Sequence, residues 1–420
     1  MNRPATSLTS FPEPPVAAHA LDRATPPREG RALRRLRAAL AEADVAIAGA
    51  GETARAWDIR MLDDRLPRRV LIDGALGLGD AYVDAWWECG DLPELFNRLL
   101  RRSTAARLFD RHMLALVTRQ RLANAHRRAA AFANGQDHYD RGNALSDAML
   151  DRRLTYTCGY WRRRAAAQGV QWWDGTLDEA QEAKLAMTCR KLGLKPGDRV
   201  LDIGCGWGSF ARYAAEKHGA HVTGITVARQ QVELARERCR GLPCDFRLED
   251  YRDTRGERFD HVVSLGMFEH VGHRNHRIYM ESSRRLLKPD GLFLLHTIST
   301  RRSQPNLADV EISWLDRHIF PGLCIPSLAQ IGRAIEGLFT IEDLHNIGAH
   351  YEPTLLAWFD NFDRNWPDLR PRYEPAADRF YRMWKYYLQI ATGAFRSRKY
   401  GVWQIVLSPA GVRGGYERQS

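Results

Sequence analysis

From Ala131 onward the chain alternates short apolar runs with amphipathic ones, and this rhythm leaves few ways to fold. "RVLDIGCGWG" reads as a strand running into glycines, "SFARYAAEKHG" as a helix stopped by Gly219, "HVTGITV" as a second strand and "ARQQVELARERCRG" as the next helix. "CDFRLEDYRD" and "FDHVVSLGMFEHVG" continue as third and fourth strands, and the helix "HRIYMESSRRLLKPDG" leads into the strand "GLFLLHTIS". Strands separated by helices pair in parallel through crossover connections. The expected fold class is therefore α/β, a doubly wound, Rossmann-like catalytic domain over residues 131–420 with its ligand at the carboxyl ends of the strands.

The preceding sequence divides differently. Residues 1–30 carry Pro4, Pro12, Pro14, Pro15, Pro26 and Pro27 with few large apolar groups, the composition of a disordered tail. Residues 31–102 read as a small, mostly helical domain: "RALRRLRAALAEADVAI" has helical spacing, and a Gly-rich turn with an aromatic cluster (Tyr82, Trp86, Trp87) follows. That cluster is expected to rest on the catalytic domain or on a second subunit.

Residues 103–130 form a basic linker. With Arg101 and Arg102 it holds Arg107, Arg111, Arg119, Arg121, Arg127 and Arg128 against the single acid Asp110, with leucines at helical spacing. Two readings stay open, a helix lying on an anionic membrane and a solvated linker packed on a neighbour. The formal charge of +11 favours anionic partners but equally follows from an Arg-rich composition. Seven cysteines without a CxxC pair suggest neither a disulfide framework nor a zinc site. No signal-like or spanning apolar run appears, so a cytoplasmic protein with peripheral contact at the inner membrane face is expected.

The chemistry begins at Asp202-Ile203-Gly204-Cys205-Gly206-Trp207-Gly208, where three alternating glycines lie at a strand-to-helix turn. A cofactor crossing the strand ends touches backbone there, which a Cβ would prevent. The spacing is GxGxG, not the GxGxxG of dinucleotide sites, and the context resembles class I S-adenosylmethionine-dependent methyltransferases. The second strand ends in Thr226 where an acid usually grips the ribose.

Seven segments in order, "HYDRGNALSDAMLDRRLTYTCGYW", "LDIGCGWG", "GMFEHVG", "LLHTIS", "IFPGLCIPS", "HNIGAHYEPTLLAW" and "GAFRSRKYGVWQIVLS", resemble the cyclopropane-fatty-acyl-phospholipid synthase family. "GALGLGDAYVDAWWE" resembles its longer bacterial form, in which a small domain precedes the catalytic one. The resemblance implies methylene transfer from S-adenosylmethionine to the cis double bond of unsaturated phospholipid acyl chains in an anionic membrane. It further implies a homodimer, and a carbocation deprotonated by bound bicarbonate. It assigns Tyr156, Thr157, Asp202, Gly204, Gly206, Gly208, Thr226, Gln231, Asp250 and Tyr251 to cofactor binding. Cys158, Glu269, His296 and Tyr351, with the backbone of Ile298, are assigned to the bicarbonate site.

Taken singly, Cys158 reads as a small buried hydrophobe, His296 as a core histidine and Tyr351 as a packed aromatic. Glu269 resists such a reading, because an unpartnered carboxylate beside Met267 and Phe268 at an apolar strand end would be costly. Trp314, Phe320, Trp358, Phe359, Tyr386, Tyr387 and Phe395 suit either an acyl tunnel or ordinary core. A related C-methyltransferase giving methyl-branched or methylene products is the rival within enzymes. The absence of an RNP-like strand or KH-type loop argues against a nucleic-acid partner.

Overall fold

The computed structural model describes residues 30–49, 52, 54–101, 118, 143–165, 171–303 and 311–418. The expected disordered tail and nearly all of the basic linker lie outside these residues.

The N-terminal elements are α1 (Arg31–Ala41), β1 (Ile47–Ala48), β2 (Ile59–Met61), α2 (Leu66–Val83), β3 (Trp87–Glu88) and α3 (Leu92–Arg101), with the three short strands forming one small sheet. The glycines expected at a turn sit instead inside α2, which bends at Gly74 (φ 59°). A Cβ on Gly79 would stand 2.4 Å from the Trp314 ring, so this glycine lets a helix press directly on an indole.

The remaining elements are α4 (Asn143–Met149), the hairpin β4 (Arg162–Ala165) and β5 (Gln171–Asp174), α5 (Leu177–Leu192), β6 (Arg199–Ile203), α6 (Ser209–His218), β7 (His221–Thr226), α7 (Arg229–Arg238), β8 (Cys244–Leu248) and β9 (Phe259–Leu265). They continue as α8 (His276–Leu286), β10 (Leu287–Thr300), α9 (Glu311–His318), α10 (Leu328–Ile335), β11 (Thr340–Asn346), α11 (Tyr351–Leu369), α12 (Ala377–Arg396) and β12 (Tyr400–Ser408). A Thr176–Glu179 capping box starts α5, and left-handed Gly193 ends it. Gly219 stops α6 as the sequence predicts.

Seven strands form one sheet in the order β11-β12-β10-β9-β6-β7-β8. The five strands β10, β9, β6, β7 and β8 pair in parallel, whereas β12 runs antiparallel between β10 and β11. The α/β, Rossmann-like expectation is met. One boundary differs: Lys288–Asp290, read as the end of a helix, belong to β10. Leu287 already pairs with Phe259, and Pro289 cannot continue a helix, so the strand takes over with a register shift before Leu292.

Strand order reverses around β6, with β9 on one side and β7 on the other. This opens a crevice at the carboxyl ends. The N-terminal elements close on the far helices: Tyr386 of α12 meets Tyr82 at 5.3 Å, Trp87 at 6.5 Å, Phe96 at 5.3 Å and Trp314 at 4.6 Å between ring centroids. The expected cluster of Tyr82 and Trp87 thus rests on the catalytic part of the same chain, while Trp86 lies under the guanidinium groups of Arg65 and Arg69.

Candidate functional site

The crevice is built from the ends of β6 to β9 and from a strap, Leu154–Thr157, that crosses them. The three glycines of the β6 turn all have positive φ but are required for different reasons. A Cβ on Gly206 would meet nothing within 4 Å, so only there does the missing side chain leave open space in the crevice. A Cβ on Gly204 would stand 2.8 Å from the Met267 side chain. Gly208 does not line the crevice. It caps α6, and its Cβ would crowd Phe246 at 3.0 Å and Ala235 at 3.2 Å.

The other predicted cofactor residues converge on the crevice. At the end of β7 the Thr226 hydroxyl donates to Gln231 Oε1 at 2.9 Å and accepts the Ala228 amide. Asp250, past β8, is held by its own neighbour, with Arg252 Nη2 at 2.6 Å and Nε at 2.8 Å. The buried Tyr251 ring packs 4.8 Å from Tyr279, and burial pushes its phenol up to about 12. Burial also raises the Asp202 carboxyl to about 7, against the pull of nearby Lys184. Open backbone at Gly206 beside polar groups at three successive strand ends fits a nucleoside joined to an amino acid. No pyrophosphate-sized glycine loop is present in this turn.

A second cavity adjoins the first and shares Tyr156, Thr157, Gly266, His270 and Phe320 with it. Glu269, His296, Ile298 and Tyr351 line this cavity beside apolar Leu315, Ile325, Leu355, Ile390 and Phe395. Glu269 follows β9 in a short helical turn and is 2% exposed. Its Oε1 accepts the Ile298 amide at 2.6 Å, its Oε2 has no hydrogen-bond partner among the described residues, and burial lifts the carboxyl to about 7 against the pull of that amide and of the neighbouring Thr297 hydroxyl. His296, on β10, has Nδ1 3.4 Å from Gln404 Nε2 of β12. Burial, with Lys184 and Lys191 nearby, keeps the ring well below its usual range and so neutral at physiological pH.

Cys158 does not join this group. It is fully buried, its thiol donates to the Gly159 carbonyl and lies 3.8 Å from that of Ile347, and burial pushes the thiol upward. It therefore touches the loop leading to Tyr351 without lining the cavity. Of the aromatics left open by the sequence, Phe320, Tyr387 and Phe395 line the second cavity, while Trp314, Trp358 and Tyr386 are core. The hydroxyls of Tyr387 and Tyr156 meet at 2.8 Å.

Sequence reasoning missed Gln181, Lys184 and Gln404. The first two lie, with Thr188 and Lys191, at intervals of three or four along α5, and all four are buried. Polar residues sharing a helix face with Leu177 and Leu185 are the signal that could have marked them.

A reversed last strand in an otherwise parallel sheet, and an open glycine turn at its switch point, define an S-adenosylmethionine-dependent methyltransferase. A family model described as "Mycolic acid cyclopropane synthetase" matches residues 126–405, and the chain belongs to that family. It is similar to the cyclopropane-fatty-acyl-phospholipid synthase of Escherichia coli (strain K12), at 42% identity over 90% of this chain and 93% of that protein. It is also similar to the tuberculostearic acid methyltransferase UfaA1 of Mycobacterium tuberculosis (strain ATCC 25618 / H37Rv), at 31% identity over 82% of this chain and 81% of that one. Among solved structures, mycolic acid cyclopropane synthase CmaA1 complexed with SAH and CTAB superposes with a TM-score of 0.58 at 29% identity, covering 66% of this chain and 97% of that chain.

Proposed function

We propose that the two joined cavities form one reaction centre, which transfers a methylene group from S-adenosylmethionine to the cis double bond of an unsaturated phospholipid acyl chain. The observation that carries this reading is Glu269: a carboxyl group in an apolar cavity, one oxygen pinned and the other without a partner among the described residues, beside the crevice for the sulfonium substrate.

The alkene's π pair forms a bond to the methyl carbon while the S–C pair stays on sulfur, giving S-adenosylhomocysteine and a carbocation. Loss of a proton from the transferred methyl group frees the C–H pair to close the ring. Bicarbonate, when bound, would supply the base. Glu269 Oε2, the Tyr351 side chain and neutral His296 offer the acceptor and donors that a small oxyanion needs in an apolar enclosure. With its carboxyl near 7, Glu269 can share a proton with a bound anion instead of repelling it. The Ile298 amide fixes its orientation. Aromatic faces of Phe320, Tyr387 and Phe395 favour a passing cation.

Among the described residues no helix is long and apolar enough to cross a membrane. We read the contact with acyl substrate as peripheral, at the cytoplasmic face of an anionic membrane, with residues 31–102 contributing lipid or dimer contacts to a homodimer. The excess of basic residues supports an anionic surface. Incubation of the protein with labelled S-adenosylmethionine and vesicles of unsaturated phospholipid, followed by lipid analysis, tests the reaction. Cyclopropane chains are expected; methyl-branched or methylene chains alone would mean that the cation meets another fate. Salt-insensitive binding to anionic vesicles would remove the electrostatic part, and a monomeric mass in light scattering the dimer.

A further inference from the structure

Lys184 is a fully buried cation that the reaction described above does not use. It projects from α5 into the wall of the cofactor crevice, where its Nζ donates to Thr157 Oγ1 at 2.7 Å. The same helix face supplies Gln181, whose Nε2 donates to the Thr157 carbonyl at 2.7 Å and to that of Thr155 at 3.3 Å. Asp151 holds the other end of the strap through the Thr155 amide at 2.7 Å and the Arg153 amide at 3.0 Å. On the opposite side Thr157 presses on Gly266 at the end of β9, where a Cβ would stand 2.6 Å from its methyl group. The strap is thus wedged between α5 and the sheet, with Lys184 as its charged fastening.

The position of Lys184 along the crevice identifies what it serves. Thr226, Gln231, Asp250 and Tyr251 lie at the β7 and β8 side, the nucleoside end. The β6 and β9 side leads to the second cavity and must hold the sulfur with its amino-acid arm. The other cation of the Lys/Arg type in the crevice wall, Arg252, is engaged by Asp250 at the nucleoside end. Lys184 faces Asp202, Asp151 and Cys158, and its field reaches His296. Burial brings its ammonium down to about 8, which leaves it mostly charged at neutral pH.

We propose that Lys184 is a positioning residue for the amino-acid arm of S-adenosylmethionine, acting through Thr157 and through the positive charge it sets beside Asp202. The inference rests on the crevice being the S-adenosylmethionine site and is independent of the product formed. An unfilled strap would slacken the methionyl end and leave Asp202 without its counter-charge, while the nucleoside end stays intact.

The test compares two ligands by calorimetry: S-adenosylhomocysteine, which carries the amino-acid arm, and 5′-methylthioadenosine, which lacks it. Lys184→Met is expected to weaken S-adenosylhomocysteine by about 10-fold to 100-fold, the loss typical of a charged hydrogen bond, and to leave 5′-methylthioadenosine within about 2-fold. Lys184→Arg, which keeps the charge, is expected to recover part of that loss. Thr157→Val removes the acceptor without touching the lysine, and carries the test if Lys184→Met does not fold; a loss confined to S-adenosylhomocysteine supports the proposal. Unchanged S-adenosylhomocysteine affinity, or equal loss for both ligands, would overturn it. Failure of the unaltered protein to bind S-adenosylhomocysteine would overturn the crevice assignment itself.

Discussion

The amide of Ile298 donates to one oxygen of Glu269 at 2.6 Å and leaves the other oxygen of the same carboxyl without a partner among the described residues. A buried acceptor in this state is costly unless a ligand completes it.

Glu269→Gln keeps the size of the side chain and removes its charge. Turnover of unsaturated phospholipid should fall by on the order of 10²-fold to 10³-fold, while S-adenosylhomocysteine still binds. Near-normal methylene transfer by this variant would place the base elsewhere. Partial recovery with added bicarbonate would agree with a weakened anion site, since mass action offsets lost affinity.

The same carboxyl sets a pH dependence of stability. Its folded value is raised from an ordinary 4.5 to about 7 by burial. Between these values the folded chain holds a proton that the unfolded chain has released, so stability falls as pH rises through this window and levels off above it. The loss amounts to about 3 kcal/mol at most. Asp202, raised in the same direction, titrates in both proteins and cancels when the Glu269→Gln variant is compared with the original chain. Urea unfolding at several pH values in bicarbonate-free buffer should show the Glu269→Gln protein gaining relative stability from about pH 4.5 to 7. Parallel curves would contradict the assignment.

Gly206 and Gly208 should respond differently to the same change. Gly206→Val puts a side chain into the open crevice and should abolish S-adenosylhomocysteine binding, at a backbone cost of about 1–2 kcal/mol. Gly208→Val meets Phe246 and Ala235 and should lower the melting temperature further. Calorimetry paired with thermal unfolding separates ligand exclusion from misfit.

The seam between the N-terminal elements and α12 is close-packed. A Cβ on Gly393 would stand 2.5 Å from that of Phe96 and 2.7 Å from the Pro93 carbonyl, neither of which is a flexible end. Gly393→Leu should therefore loosen α3 from α12, and Trp87→Ala should cost about 3–5 kcal/mol. Early, separate melting of the N-terminal elements in fluorescence-detected unfolding is expected; a single unshifted transition would show that the seam contributes little.

The alternation of strands and helices and the glycine turn at Gly206 were legible because local periodicity and glycine chemistry reveal them, whereas Thr226 and Gln231 were assigned through the family resemblance. The partnership of Glu269 with Ile298 was named through resemblance, but its geometry depends on two strands aligned by the sheet. Gln404 beside His296 and Lys184 beneath Thr157 could not be read from spacing. Each pair is joined across the fold, and the polar stripe on α5 marks Lys184 without naming the residue it meets. Cys158 and Gly208 illustrate the converse: both stand within motifs of the site, yet their side-chain positions face packing.

Strand β12 is the last element of the sheet to be synthesised, and it inserts between two strands already made, pairing with eight residues of β10 from Phe293 to Thr300. Without β12, that edge of β10 would be unpaired and His296 would lack Gln404. A chain in which β12 has yet to pair would expose this ladder, and its reaction centre would be incomplete until that strand locks in. Truncation before Tyr400 would remove the chemistry and the guard against aggregation together.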